Sequence, residues 1–193
     1  MQLVKEHERQ CKLFYDTKTE SDFHLKKELF LNGLRSPSNK QKYKRYVGTP
    51  LRYAGGKTLA VGLIVEHLPN NLERIISPFL GGGSVEIACA KELGIEVIGF
   101  DIFDLLVNYW QHQFSDPEGL YKYLKTYNPT KEKFIEIKEK LKGHWKGTNP
   151  IKNKLELASL YYFNHNTSYG PGFLSWPSYV YIDEKKYSAM IEK

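Results

Sequence analysis

The sequence predicts an α/β fold, and three observations within one stretch carry the prediction: two short apolar runs, a glycine turn after the first, and an acid closing the second. Arg74–Phe79 is a brief apolar run that stops at Gly81, Gly82 and Gly83. Ser84 can then cap a helix whose apolar positions Val85, Ala88, Cys89 and Leu93 recur at intervals of three and four. Gly94 ends that helix, and Ile95–Phe100 forms a second strand that closes on Asp101. Two parallel strands joined in this way read either as a nucleoside-binding half-site or as plain turn chemistry with a helix-capping acid. The glycines let a ligand approach the backbone, the helix start offers free N–H groups, and the carboxylate can accept both ribose hydroxyls. The spacing departs from the dinucleotide pattern G-x-G-x-x-G, because Glu86 stands where the third glycine would fall.

At 193 residues and 41% hydrophobic, the chain can bury one core, with a small subdomain appended. No apolar run approaches the ~18 residues of a membrane span, and the charged N-terminus lacks the apolar core of a signal peptide. A cytoplasmic setting without a membrane partner is expected. Cys11 and Cys89 share neither a metal-ligand spacing nor a disulfide framework, and Cys89 falls on the buried side of its helix as a core residue. The net charge of +6 and the fourteen tyrosines fit a polyanionic partner, nucleic acid before others.

Residues 1–34 predict polar helices. Leu3, Val4, His7, Cys11 and Phe14 suggest one face, and Leu25, Leu29 and Phe30 before Gly33 suggest another. Arg35–Tyr46 carries Arg35, Lys40, Lys42, Lys44 and Arg45 with no acid, and reads equally as a solvated linker or as an arm contacting phosphates. In Thr49–Leu68, Gly55-Gly56-Lys57-Thr58 opens an amphipathic helix ended by Pro69. A P-loop would need a glycine where Leu51 stands, so that assignment fails. Helix amides and Lys57 could instead hold a carboxylate.

Further on, Ile102–Phe114 predicts a helix and Asp116-Pro117 starts another. Lys131–Lys142 predicts a lysine-rich helix with Phe134, Ile137 and Leu141 inward, and Ile151–Phe163 a helix packed through Leu155, Ala158, Tyr161 and Tyr162. Asp183 looks like a cap, with Tyr187, Met190 and Ile191 beginning a periodic face.

Three elements occur in order: RYAGGK at Arg52–Lys57, ISPFLGGGSVE at Ile76–Glu86, and GFDIFDLLVNYW at Gly99–Trp110. Together they resemble the Dam-type family of DNA adenine-N6 methyltransferases, over roughly Pro50–Trp176. The resemblance implies a Rossmann-like sheet dependent on S-adenosylmethionine (AdoMet), with a mainly helical DNA-recognition subdomain. It implies that Tyr53, Gly55, Gly56 and Lys57 contact AdoMet, that Phe79 with Gly81, Gly82, Gly83 and Ser84 forms the wall and turn around it, and that Asp101, followed by Ile102, binds its ribose. The family commonly has Glu before Pro-Phe; Ser77 stands there instead and removes one carboxylate from the site.

Phe163–Trp176, FNHNTSYGPGFLSW, resembles the family's recognition hairpin, which typically reads Leu-Asn-Arg-x-x-x-Asn-Gly. Asn164 and Gly170 match it, His165 replaces the arginine and Tyr169 the second asparagine. By resemblance, Asn164, His165, Asn166 and Tyr169 contact double-stranded DNA; by residue type alone they fit equally a surface hairpin held by Asn side-chain bonds.

The family positions the target amine with Asp-Pro-Pro-Tyr. This chain lacks it: Asp116-Pro117-Glu118 and Asn149-Pro150-Ile151 have neither the second proline nor the aromatic. No catalytic residue and no metal ligand is therefore assigned. The sheet is expected to be incomplete, with the remainder in a missing C-terminal segment or a second polypeptide. The expected organisation is a helical and basic extension over 1–47, an AdoMet-binding part over 48–115, a DNA-recognition region over 116–182 and an unfinished helix over 183–193. The expected function is methyl transfer from AdoMet to N6 of adenine in DNA, with a non-catalytic AdoMet- or DNA-binding module as the alternative. An NTPase is disfavoured by the failed P-loop spacing and by the lack of a second acidic strand end for Mg²⁺.

Overall fold

A computed structural model describes residues 10–13, 20–38 and 40–192. The residues cluster into a sheet unit, Gln10–Thr49 with Gly55–Asp101, and a helical unit that includes Pro50–Ala54 and Ile102–Lys193. Leu3, Val4, His7 and Phe14 of the expected N-terminal face lie outside the described residues.

The sheet unit contains β1 (Gln10–Leu13), α1 (Glu20–Leu34), α2 (Val61–Glu66), β2 (Arg74–Ser77), α3 (Ser84–Ile87, continued by a π turn over Ala88–Glu92) and β3 (Glu96–Phe100). β2 and β3 run parallel, with Ile75 opposite Val97 and Ser77 opposite Gly99. The sheet order is β1-β3-β2, so β3 is central and the outer edge of β2 has no neighbour among the described residues. The helical pattern expected around Cys11 is corrected here, because Gln10–Leu13 is a strand antiparallel to β3. The open side of β3 presents a row of backbone donors and acceptors, and pairing them outweighs a weak helical period.

The expected inward face of α1 is also corrected. Leu25 and Leu29 are exposed, whereas Phe23 and Lys27 are buried, and the Phe30 ring meets Tyr46 edge-on at 5.7 Å. Lys27 can occupy the inner face because its ammonium donates to the Leu68 carbonyl and to Asn70 Oδ1, while its stem covers apolar surface. After α1 the chain folds back on itself and keeps Arg35, Lys40, Lys42, Lys44 and Arg45 exposed. Ser36 N donates to Lys42 O and Lys44 N to Leu34 O, and the rings of Tyr43 and Tyr46 are buried. Lys42 pairs with Glu66. Tyr43 lies flush on α2 only because residue 62 is glycine, where a Cβ would fall 2.4 Å from Tyr43 Cγ.

Around the glycine turn, the cap of α3 is Gly83, with φ 63°, and Gly81 has φ 49°. Both lie in the left-handed region that side chains disfavour. Gly94, at φ 72°, terminates the helix. Cys89 is fully buried, and burial pushes its thiol up to about 12, so it stays protonated.

The helical unit contains α4 (Asp104–Ser115), α5 (Pro117–Lys125), α6 (Lys131–Trp145), α7 (Lys154–Thr167), a hairpin of β4 (Ser168–Tyr169) and β5 (Trp176–Pro177), and α8 (Glu184–Ile191). Four starts are capped as their residue types dictate: Asp116, Thr130, Asn153 and Asp183 accept from the N–H groups of Gly119, Lys133, Glu156 and Lys186. α7 is the core helix, packed by α4, α5 and α6. Its Tyr162 stacks on Tyr109 of α4. α6 turns Phe134, Ile137 and Leu141 inward, while its lysines pair with Glu136 and Glu139 on the outside. α8 docks through buried Tyr187, whose hydroxyl donates to Leu124 O at 2.9 Å. Among the described residues, no helix is long and apolar enough to cross a membrane.

Candidate functional site

In the sheet unit, the C-terminal ends of β2 and β3 converge on the glycine bend, the usual place for a ligand in an open α/β sheet. Asp101, directly after β3, accepts from Gly81 N through Oδ2 at 2.9 Å. Thr49 Oγ1 donates to Gly82 O at 2.6 Å. Ser84 Oγ accepts from Lys57 N at 3.1 Å, so the serine ties the Gly55–Lys57 turn to the bend and does not cap α3. The structure therefore brings together Lys57, Gly81, Gly82, Ser84 and Asp101. Lys57 lies in the turn ahead of α2, whose first residue is Val61, and its ammonium donates to Gly55 O at 2.7 Å. The expected helix start at Gly55–Lys57 is corrected by that boundary: positive φ at Gly55 turns the chain before any helix begins. Phe79 is exposed.

Ser77 and Glu86 meet at the same end of β2. The buried Ser77 hydroxyl donates to Glu86 Oε1 at 2.6 Å. In the sequence Ser77 is a missing acid and Glu86 a missing glycine, and nothing local joins the two. The nine-residue separation spans a turn whose path is set by the positive φ angles of Gly81 and Gly83.

Tyr53 and Ile102 belong to the helical unit. Ile102 is exposed. Tyr53 stacks on His165 at 5.5 Å with 23° between the ring planes, and His165 stacks on Tyr161 at 5.4 Å on α7.

The expected recognition hairpin over Phe163–Trp176 is shorter than the sequence suggested. Its first five residues complete α7, and the hairpin starts at Ser168. Asn164, His165 and Asn166 are 1%, 3% and 0% exposed, so their side chains are enclosed by protein. Each has an internal task. Asn164 Oδ1 accepts from Leu174 N at 3.1 Å, holding a residue with φ 55°. His165 Nε2 lies 2.6 Å from Arg52 O, so it donates to that carbonyl. Burial lowers the His165 pKa to about 4, leaving the imidazole neutral. Asn166 accepts from Arg52 N at 2.9 Å and donates to Pro50 O at 3.1 Å. Arg52 Nη1 donates to Asn166 O at 2.7 Å, and its guanidinium lies 3.5 Å from the centre of the Tyr181 ring. Asn-His-Asn reads as turn chemistry in a sequence; here His165 and Asn166 clasp the Pro50–Ala54 strap while Asn164 holds Leu174.

Tyr169, in contrast, is 75% exposed, and its cross-strand partner Trp176 is 76% exposed. Lys138 of α6 supports the pair, donating to Ser175 O at 3.1 Å with its ammonium 5.0 Å from the Trp176 ring centre. Trp176 is the last residue of the FNHNTSYGPGFLSW stretch, and no motif in the sequence marks it for a role. Its exposure beside Pro177 is visible only once the hairpin is built.

A parallel strand pair, a glycine bend and an acid at the end of the second strand define an α/β protein. The pattern of D12 class N6 adenine-specific DNA methyltransferases matches residues 53–192, well over half of the sequence, and the chain belongs to that family. It is a DNA adenine-N6 methyltransferase by family, acting on DNA. No curated protein matches it.

Proposed function

We propose that the chain uses AdoMet as methyl donor in methylating N6 of adenine in double-stranded DNA. The observation that carries this reading is the junction of Asp101 with the glycine bend through Gly81 N, beside Lys57. The residues suit the cofactor: a carboxylate for the ribose diol, a lysine ammonium for the amino-acid carboxylate, and a bend whose Gly81 and Gly83 keep side chains off the ligand. When bound, AdoMet supplies an electrophilic methyl group on a sulfonium. Gly55, Gly56 and Phe79 are assigned to this site by family likeness, and on the same ground Tyr53 and Ile102 are expected to contact AdoMet.

DNA is read, in this proposal, by the exposed face of the β4–β5 hairpin. Tyr169 and Trp176 offer flat surfaces on which an unstacked base can rest, and methylation of a base requires that base to leave the stack. Trp176→Ala is expected to weaken duplex binding by about 1–3 kcal/mol, roughly five- to 150-fold, with an unchanged melting temperature. Fluorescence anisotropy with a labelled duplex measures it, and unaltered affinity contradicts this face as the interface.

Transfer also needs a group that holds the adenine amine, and the sequence has no Asp-Pro-Pro-Tyr. We place that group on a further segment or second polypeptide whose strand joins the open edge of β2. With tritiated AdoMet and DNA, the 193-residue chain alone is expected to transfer no label, and adding the chain that carries the tetrapeptide is expected to start transfer. Robust transfer by the lone chain contradicts the proposal. Binding of AdoMet and DNA without transfer under any addition favours the non-catalytic alternative.

A further inference from the structure

The donor site described above has a cation at one end and an acid at the other, yet the amino-acid end of AdoMet carries two opposite charges. Its carboxylate suits Lys57, and its ammonium needs an anionic acceptor nearby. We propose that Glu86 is that acceptor and that Ser77 positions it, an inference that rests on the AdoMet reading of this site.

Glu86 has what such an acceptor needs. It sits in the first turn of α3, immediately after the glycine bend, and its carboxylate reaches back to the C-terminal end of β2. Ser77, the last residue of β2, is buried and donates to Oε1 at 2.6 Å. Only one carboxylate oxygen is used in that bond, so the other is left for a ligand donor. The Glu86 side chain is half-buried, and no lysine, arginine or histidine pairs with it among the described residues. Asp22, Glu66 and Glu96 of the sheet unit are, by contrast, paired with Lys26, Lys42 and Arg74. A half-buried carboxylate without a cation is costly to desolvate further, and a ligand ammonium offsets that cost through a charge-assisted hydrogen bond. Ser77 would then replace a strand-end acid by orienting a carboxylate supplied from the helix.

The test uses S-adenosylhomocysteine, which carries the ammonium without a sulfonium, and methylthioadenosine, which carries neither. Glu86→Gln keeps an oxygen for Ser77 and removes the charge. Calorimetric titration of the full chain is expected to show a loss of about tenfold or more for S-adenosylhomocysteine and none for methylthioadenosine. The direction is diagnostic, because removing a negative charge would otherwise favour a ligand that bears a carboxylate. Ser77→Ala is expected to give a smaller loss with the same ligand preference. Equal losses for both ligands, or undiminished S-adenosylhomocysteine affinity in Glu86→Gln, overturn the inference while leaving the donor reading intact. Failure of the unaltered chain to bind either ligand overturns the donor reading and this inference with it.

Discussion

Replacing Asp101 by alanine is expected to lower AdoMet affinity about a hundredfold or more. A carboxylate that accepts from both ribose hydroxyls makes two charge-assisted hydrogen bonds, each contributing about 1.5–3 kcal/mol. About 3 kcal/mol already corresponds to more than a hundredfold. The substitution also deprives Gly81 N of the acceptor 2.9 Å away, which loosens the bend itself. Asp101→Asn separates the two contributions: its amide oxygen can still serve Gly81 N, but it lacks the charge and accepts only one strong bond from the diol. Calorimetry is expected to rank the affinities as Asp101, then Asn, then Ala. A ranking in which alanine matches the unaltered chain contradicts the ribose assignment.

Asn166→Ala is expected to be the most damaging of the substitutions in the expected recognition stretch, and to act on stability. The side chain is wholly buried and satisfies Arg52 N and Pro50 O at once. Removing it strands one donor and one acceptor, at about 1–3 kcal/mol each. For a chain of this size about 3 kcal/mol lowers the melting temperature by roughly 6–12 °C. A thermal melt measures this directly. A DNA-reading asparagine would behave in the opposite way, losing DNA affinity while the melting temperature stayed fixed, and that outcome would contradict the clasp.

The parallel β2–β3 pair and the intervening helix were legible because local signals agreed: apolar runs, glycines where the backbone takes positive φ, and an acid at the strand end. The caps at Asp116, Thr130, Asn153 and Asp183 reflect the same kind of short-range chemistry. What escaped depended on distant partners. β1 exists because β3 has an open side, and Lys27 is buried because a carbonyl 41 residues away receives its ammonium. Asn164, His165 and Asn166 resemble loop residues until their partners at 174 and 50–52 come into view. In the candidate site, Asp101 and the glycines announce themselves, whereas the Ser77–Glu86 contact needs the fold of the bend.

The central claim, that this glycine bend holds a methyl donor, is tested most directly by titrating the unaltered chain with AdoMet and, separately, with ATP in a calorimeter. One-to-one binding of AdoMet with no heat from ATP is the predicted result. Absence of AdoMet binding, or tighter binding of ATP, would contradict it.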